Sequence, residues 1–125
     1  MKIVNPATGE PLRSIDEDTT SSVAQKFEQA RRAQRDWRNS DFTRRKTALR
    51  TFSKLIETEQ AELAKTLTLE VGKPITQSHN ELNAFRKRID FFADHFETEL
   101  QPEVVARSSD LEEVIAHEPL GVIGN

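Results

Sequence analysis

The sequence predicts a mainly α-helical chain, three helices with short β-strands at both ends, cut from a larger α/β fold. Three observations carry this. Apolar residues recur every three or four positions over three long stretches, the spacing of a helix with one buried stripe. Proline, glycine and asparagine bracket short apolar runs at either end, the pattern of strands joined by turns. The last run, Leu120-Gly121-Val122-Ile123-Gly124-Asn125, is apolar without alternation, which suits a strand buried on both faces of a parallel sheet.

At the N-terminus, Lys2-Ile3-Val4 precedes Asn5-Pro6-Ala7-Thr8-Gly9-Glu10-Pro11, and Leu12-Arg13-Ser14-Ile15 follows. This reads as a strand, a turn and a return strand. Acids and hydroxyls then lead into a first helix from about Val23 to Arg38, with Ser22 and Gln25 fitting a capping box. Its stripe is Val23, Phe27, Ala30, Ala33 and Trp37. A second helix is expected from about Thr43 to Val71, with Leu49, Phe52, Leu55, Ile56, Leu63 and Leu67 on one face. Gly72 can take the left-handed cap, and Pro74 cannot continue the helix. A third helix is expected from about His79 to Leu100, opened by a Ser78–Glu81 capping box. Its stripe is Leu82, Phe85, Ile89, Phe92, Phe96 and Leu100, and it packs against the stripes of the other two. Val104–Arg107 and Val114–His117 are strand candidates around a Ser108-Ser109-Asp110 turn. Leu120–Asn125 lacks the neighbouring strands and covering helices a buried strand needs, so the sequence reads as cut, not finished.

Composition narrows the function classes. The 125 residues make about one domain. Lys plus Arg is 18 and Asp plus Glu is 21, a net charge of −3, which argues against nucleic-acid binding through a bulk positive field. Cysteine is absent, so disulfides, thiolate metal sites and a thiol nucleophile are excluded within these residues. No apolar run reaches the roughly 20 residues of a membrane span, and the expected compartment is the cytoplasm.

Five segments in register then resemble the aldehyde dehydrogenase superfamily. They are Asn5-Pro6-Ala7-Thr8-Gly9-Glu10; Trp37 after an Ala-containing helix; Arg44 and Leu49 early in a long helix; Glu70-Val71-Gly72-Lys73-Pro74; and Phe91-Phe92-Ala93 with Glu118-Pro119-Leu120-Gly121-Val122-Ile123. The resemblance covers essentially the whole chain and is similar in style to bacterial semialdehyde dehydrogenases. It implies a parent α/β fold with a Rossmann-type cofactor domain. It also implies NAD- or NADP-dependent oxidation of an aldehyde to an acid through a cysteine thiolate, an oxyanion-stabilising asparagine and a water-activating glutamate. None of those three falls within this chain, so no catalytic and no cofactor-binding residue is assigned, and the chain by itself is expected to be inactive. By the same resemblance, residues 1–100 form the N-terminal helical lobe of the cofactor-binding domain. Residues 101–119 form an oligomerisation β-arm, giving a homo-oligomer, and 120–125 begin the first Rossmann-type strand. Asn80 and Ala84 match positions that border the substrate tunnel.

Several single residues admit both a functional and a plainer role. Glu70 lies at the negative end of a helix dipole, where a carboxylate is disfavoured without compensation. A monovalent cation held by oxygen ligands would compensate; by resemblance a carbonyl near Ile15 would join Glu70. Solvation or a salt bridge to Lys73 is the plainer reading and the favoured one, because charged helix ends are mostly solvated. His79, His95 and His117 lack metal-ligand spacing and read as surface or satisfied histidines. Arg31, Arg32, Arg35, Arg38, Arg44, Arg45 and Lys46 could bind phosphate, but helical periodicity spreads them over a solvated face with acidic partners such as Asp41. Gly121 and Gly124 do not make a dinucleotide fingerprint. The unpaired edges of 103–107, 112–117 and 120–125 are expected to pair between chains. The alternative is a small helical interaction module that associates with itself or with a full-length relative.

Overall fold

The computed structural model describes residues 1–124. Its order is β1 (Lys2–Val4), β2 (Pro11–Ser14), α1 (Thr20–Arg38), α2 (Phe42–Thr58), α3 (Gln60–Val71), α4 (Ile75–Glu99), β3 (Glu103–Arg107) and β4 (Glu112–Ile115). The expected mainly helical architecture with strands at both ends is present, with four helices among the described residues where three were expected.

The extra helix comes from a break in the expected second one. Thr58 donates its hydroxyl back to the Lys54 carbonyl at 3.0 Å, a local bond that competes with the helical ladder and bends it. Glu59 leaves helical geometry at φ −94°, ψ 10°, and α3 restarts at Gln60.

Two helix starts also differ from expectation. The capping box of α1 is Thr19 with Ser22: Ser22 N–H donates to Thr19 Oγ1 at 3.1 Å and Thr19 N–H to Ser22 Oγ at 2.9 Å. Asp18 accepts from the Ser22 hydroxyl at 2.7 Å, so Ser22 is already engaged inside the first turn. The last helix begins at Ile75 with Pro74 at its cap, because a cap position asks nothing of the missing proline N–H. Ser78 is therefore not a cap. It is fully buried, with its hydroxyl 2.8 Å from that of Thr68 on α3. Asp41 caps α2 by accepting from Arg44 N–H at 2.7 Å.

The two hairpins are separate antiparallel pairs. In the first, the Asn5 side chain accepts from Ala7 N–H at 2.9 Å, and Asn5 N–H donates to the Glu10 carbonyl at 2.9 Å. Gly9 supplies the positive φ the turn requires. In the second, Glu103 faces Ile115 and Arg107 faces Glu112, with a bulge between Val104 and Ala106. The two strands pair with each other around the expected turn, because the four-residue reversal Ser108–Leu111 closes at a 2.8 Å hydrogen bond and costs little loop entropy. Leu120–Gly124 form no strand, since a strand exists only through a neighbour's hydrogen bonds. Asn125, the end of that expected strand, lies outside the described residues.

The core lies where α4 packs against α2 and α3. Ile56 of α2, Ala64 of α3, and Ile89 and Ala93 of α4 are its buried apolar members. Leu49, Leu67, Leu82 and Phe96 are half-buried, while Phe52, Leu55, Leu63, Phe85 and Phe92 stay exposed. The stripe of α1 does not join this core: none of its residues is buried. The expected three-way packing is thus a packing of α2, α3 and α4.

Charge ties α2 to α4. Arg50 donates to Asp90 at 2.6 Å and to Asp94 by its other terminal nitrogen, and Lys46 lies 3.7 Å from Asp94. The Asp94 carboxyl is held below its ordinary pKa, first by the hydrogen bond from Arg50, with the Arg50, Lys46 and His95 charges adding to it. A depressed native pKa means that the folded state binds fewer protons than the unfolded one near and below about pH 4. The pair's contribution is therefore complete above that range and is lost as pH falls through the depressed value. Melting of the native chain and of Asp94→Asn between pH 7 and pH 3 should show the gap between them closing on acidification. A constant gap would mean that the charge of Asp94 does not contribute.

Candidate functional site

The positions of interest fall in three places. The first joins the N-terminal hairpin to the end of α3. Glu70 does not stand alone at the negative helix end: its carboxylate accepts from Arg13 on β2. Lys73, the alternative partner, instead pairs with Glu81 on α4. The Ile15 carbonyl accepts from the chain's terminal ammonium at 2.7 Å. Both oxygens expected to face a monovalent cation are thus met by the protein's own cations. Beside them, a Cβ on Gly72 would lie 2.7 Å from Pro6 Cγ, so the hairpin turn rests against the α3–α4 connection.

The second place is the exposed side of α4. Asn80 and Ala84 are both solvent-exposed and one helical turn apart. The adjacent Asn83 accepts from Gln60 of α3 at 2.7 Å, which fixes the flank of this face. Asn80 offers an amide and Ala84 a methyl, groups that can line a passage but cannot transfer a proton at neutral pH.

The third place was not singled out from sequence. A cavity of about 460 Å³ opens at the α1–α2 turn, lined among others by Arg38, Ser40, Arg45, His117 and Glu118. Its two arginines are already engaged. Arg38 pairs with Glu118 at 2.9 Å. Arg45 donates to the Arg38 carbonyl at 2.8 Å and to Ser40 Oγ at 3.2 Å. The link between Arg38 and Glu118 spans 80 positions, and no local pattern announces it. The arginine cluster as a whole is dispersed as expected: Arg31 lies 3.7 Å from Glu28, and Arg44 sits over the Trp37 ring at 5.9 Å.

Among the described residues, no group of three histidine, cysteine or acidic side chains could hold a metal. His95 stacks on Phe91 at 4.3 Å, with Nδ1 2.7 Å from the Phe91 carbonyl, a satisfied helix histidine. No helix among them is long and apolar enough to cross a membrane.

Comparison with known proteins is consistent along the whole chain. The profile described as "Aldehyde dehydrogenase family" matches residues 1–125. The chain is 31% identical over 120 residues to the succinate semialdehyde dehydrogenase [NAD(P)+] Sad of Escherichia coli, covering 96% of this chain and 26% of that protein. It is 33% identical over 120 residues to a probable succinate-semialdehyde dehydrogenase [NADP(+)] of Synechocystis, with the same coverage. Among solved structures, the succinic semialdehyde dehydrogenase of Streptococcus pyogenes with NADP+ superimposes with a TM-score of 0.83 at 22% identity, over 92% of this chain and 25% of that one. The NADP-complexed glyceraldehyde-3-phosphate dehydrogenase GapN of Methanocaldococcus jannaschii gives 0.80 at 25% identity, over 86% and 24%. The chain spans about a quarter of the length of the curated relatives it matches.

Proposed function

This chain belongs to the aldehyde dehydrogenase family, as its N-terminal region, and we propose that it serves an enzyme that oxidises a semialdehyde to the acid with NAD or NADP. The observation that carries this reading is the family match over all 125 residues. The names of the relatives support the substrate class and the cofactor. The chemistry implied by the family needs a thiolate that a chain without cysteine cannot supply. The reacting groups therefore belong outside these residues, and the 125 residues alone are inactive.

Their role is structural. Residues 1–100 form a helical lobe, 101–119 an arm whose free strand edges join copies into a homo-oligomer, and 120–125 enter the cofactor-domain sheet. Asn80 and Ala84 border the substrate passage, their exposure leaving them free to do so. A monovalent cation at Glu70 and Ile15 would have to displace Arg13 and the terminal ammonium. The cytoplasm is the working compartment.

The test is the intact mass of the protein from its native cell, measured beside NAD(P)H formation from succinate semialdehyde by the 125-residue chain. A native mass several-fold above 14.3 kDa, with no turnover by the short chain, is expected. A native mass of 14.3 kDa would turn the reading to the interaction module.

A further inference from the structure

Glu70 is the next-to-last residue of α3, where the helix dipole presents its negative end and a carboxylate needs a cation beside it. The helix supplies none: no basic residue lies in its last turn. Lys73, the nearest cation along the chain, is taken by Glu81 of α4. The compensating charge comes from the Arg13 guanidinium of β2, 57 positions away. Arg13 stands opposite Ile3 in the first hairpin, and Glu70 is the acid it pairs with.

The second oxygen of the expected ion site is also committed. Lys2 faces Ser14, and Met1 and Ile15 continue that ladder as a reciprocal pair. Ile15 N–H donates to the Met1 carbonyl at 2.8 Å, and the Met1 nitrogen donates to the Ile15 carbonyl at 2.7 Å. This is the two-bond pattern of an antiparallel pair, so the Ile15 carbonyl belongs to the hairpin. Hard cations are held by several oxygens at once. One entering here would meet a guanidinium already seated on the carboxylate, and like charges repel.

An arginine suits the place for three reasons. It stays protonated wherever proteins fold. Its planar fork matches a carboxylate. It is tethered, so it cannot be diluted away as a free ion can. It also does what an ion does not: it ties its own hairpin to the α3–α4 connection, where the Pro6 ring rests against Gly72. We infer that Arg13 is a built-in replacement for a monovalent cation at the C-terminal end of α3, and that this region needs neither potassium nor sodium. The replacement concerns the fold alone and stands if the proposed reaction fails.

The test is the melting of the 125-residue chain in potassium, sodium and choline chloride of equal ionic strength. Equal strength matters because the Arg13 and Glu70 side chains are 55% and 30% exposed, so salt screens the pair. The native chain should melt at the same temperature in all three. Arg13→Gln should melt about 1–4 °C lower in choline chloride. It should regain at least half of that loss in potassium or sodium chloride, as the ion enters the vacated place. Arg13→Lys keeps the charge and should stay unresponsive. Arg13→Gln combined with Glu70→Gln should lose the ion response, which separates this place from any other. Hydrogen exchange of the Lys2–Val4 and Pro11–Ser14 amides reports the hairpin directly. It should be fast in Arg13→Gln with choline and slowed by potassium or sodium. A native chain stabilised by potassium or sodium over choline would mean that the ion displaces Arg13, and would overturn the inference. So would an Arg13→Gln chain with unchanged hairpin exchange, or one no more responsive to these ions than the native chain.

Discussion

Replacing Ile89 with alanine should destabilise the chain by about 3 kcal/mol, the cost of a buried isoleucine truncated where neighbours cannot close the space. The site is unforgiving for a reason visible in its neighbours. Ala93, one turn along α4, and Ala64 on α3 have no exposed surface at all, so backbones rather than adaptable side chains line the contact. A chain of 125 residues loses roughly 4 °C of melting temperature per kcal/mol, which makes the expected fall about 12 °C. The comparison is Phe92→Ala on the same helix. Phe92 is 57% exposed, so the isolated chain should lose far less despite the larger side chain removed. Equal losses for the two would mean that the α2–α3–α4 contact is not the core.

The second large effect is expected at Gly72. It closes α3 at φ +77°, a conformation that costs an L-residue about 1–2 kcal/mol. An added methyl would also meet Pro6 Cγ at 2.7 Å, so the N-terminal hairpin must shift. Gly72→Ala should thus cost about 2–3 kcal/mol. The two contributions separate in a double variant. Pro6→Ala removes the obstructing ring, so Gly72→Ala made in that background should cost only the conformational part. If the cost is the same in both backgrounds, the hairpin does not rest on this turn. Loosening the hairpin should also weaken the pairing of Arg13 with Glu70, which joins residues 57 positions apart.

Much of this is legible in the sequence alone, but unevenly. Gly72 followed by Pro74 marked a helix end, and the end is there. Asn5 to Glu10 marked a turn, and its hydrogen bonds close it. Trp37, Glu70 and Glu118 carried the family in their order along the chain. The misreadings share a cause. Ser78 with Glu81 has the spacing of a cap, yet Ser78 is buried on Thr68 and Glu81 goes to Lys73. Thr58 looked like one more helical residue, yet it bonds back to the Lys54 carbonyl where α2 stops, and Glu59 leaves helical geometry.

The stripes, caps and turns of this protein are short-range properties, set by a helix period and by which side chain reaches which backbone group within about four residues. The sequence by itself determined the stripes and the turns, but not which of several competing residues takes each cap. The partner of Glu70, the burial of Ser78 and the bareness of α1 depend on what lies across the fold. A stripe states that a helix has an apolar face, because amphipathicity is local. It does not state what covers that face, because burial belongs to both partners. Tertiary packing decided that here: α4 found α2 and α3, and α1 kept its apolar face open.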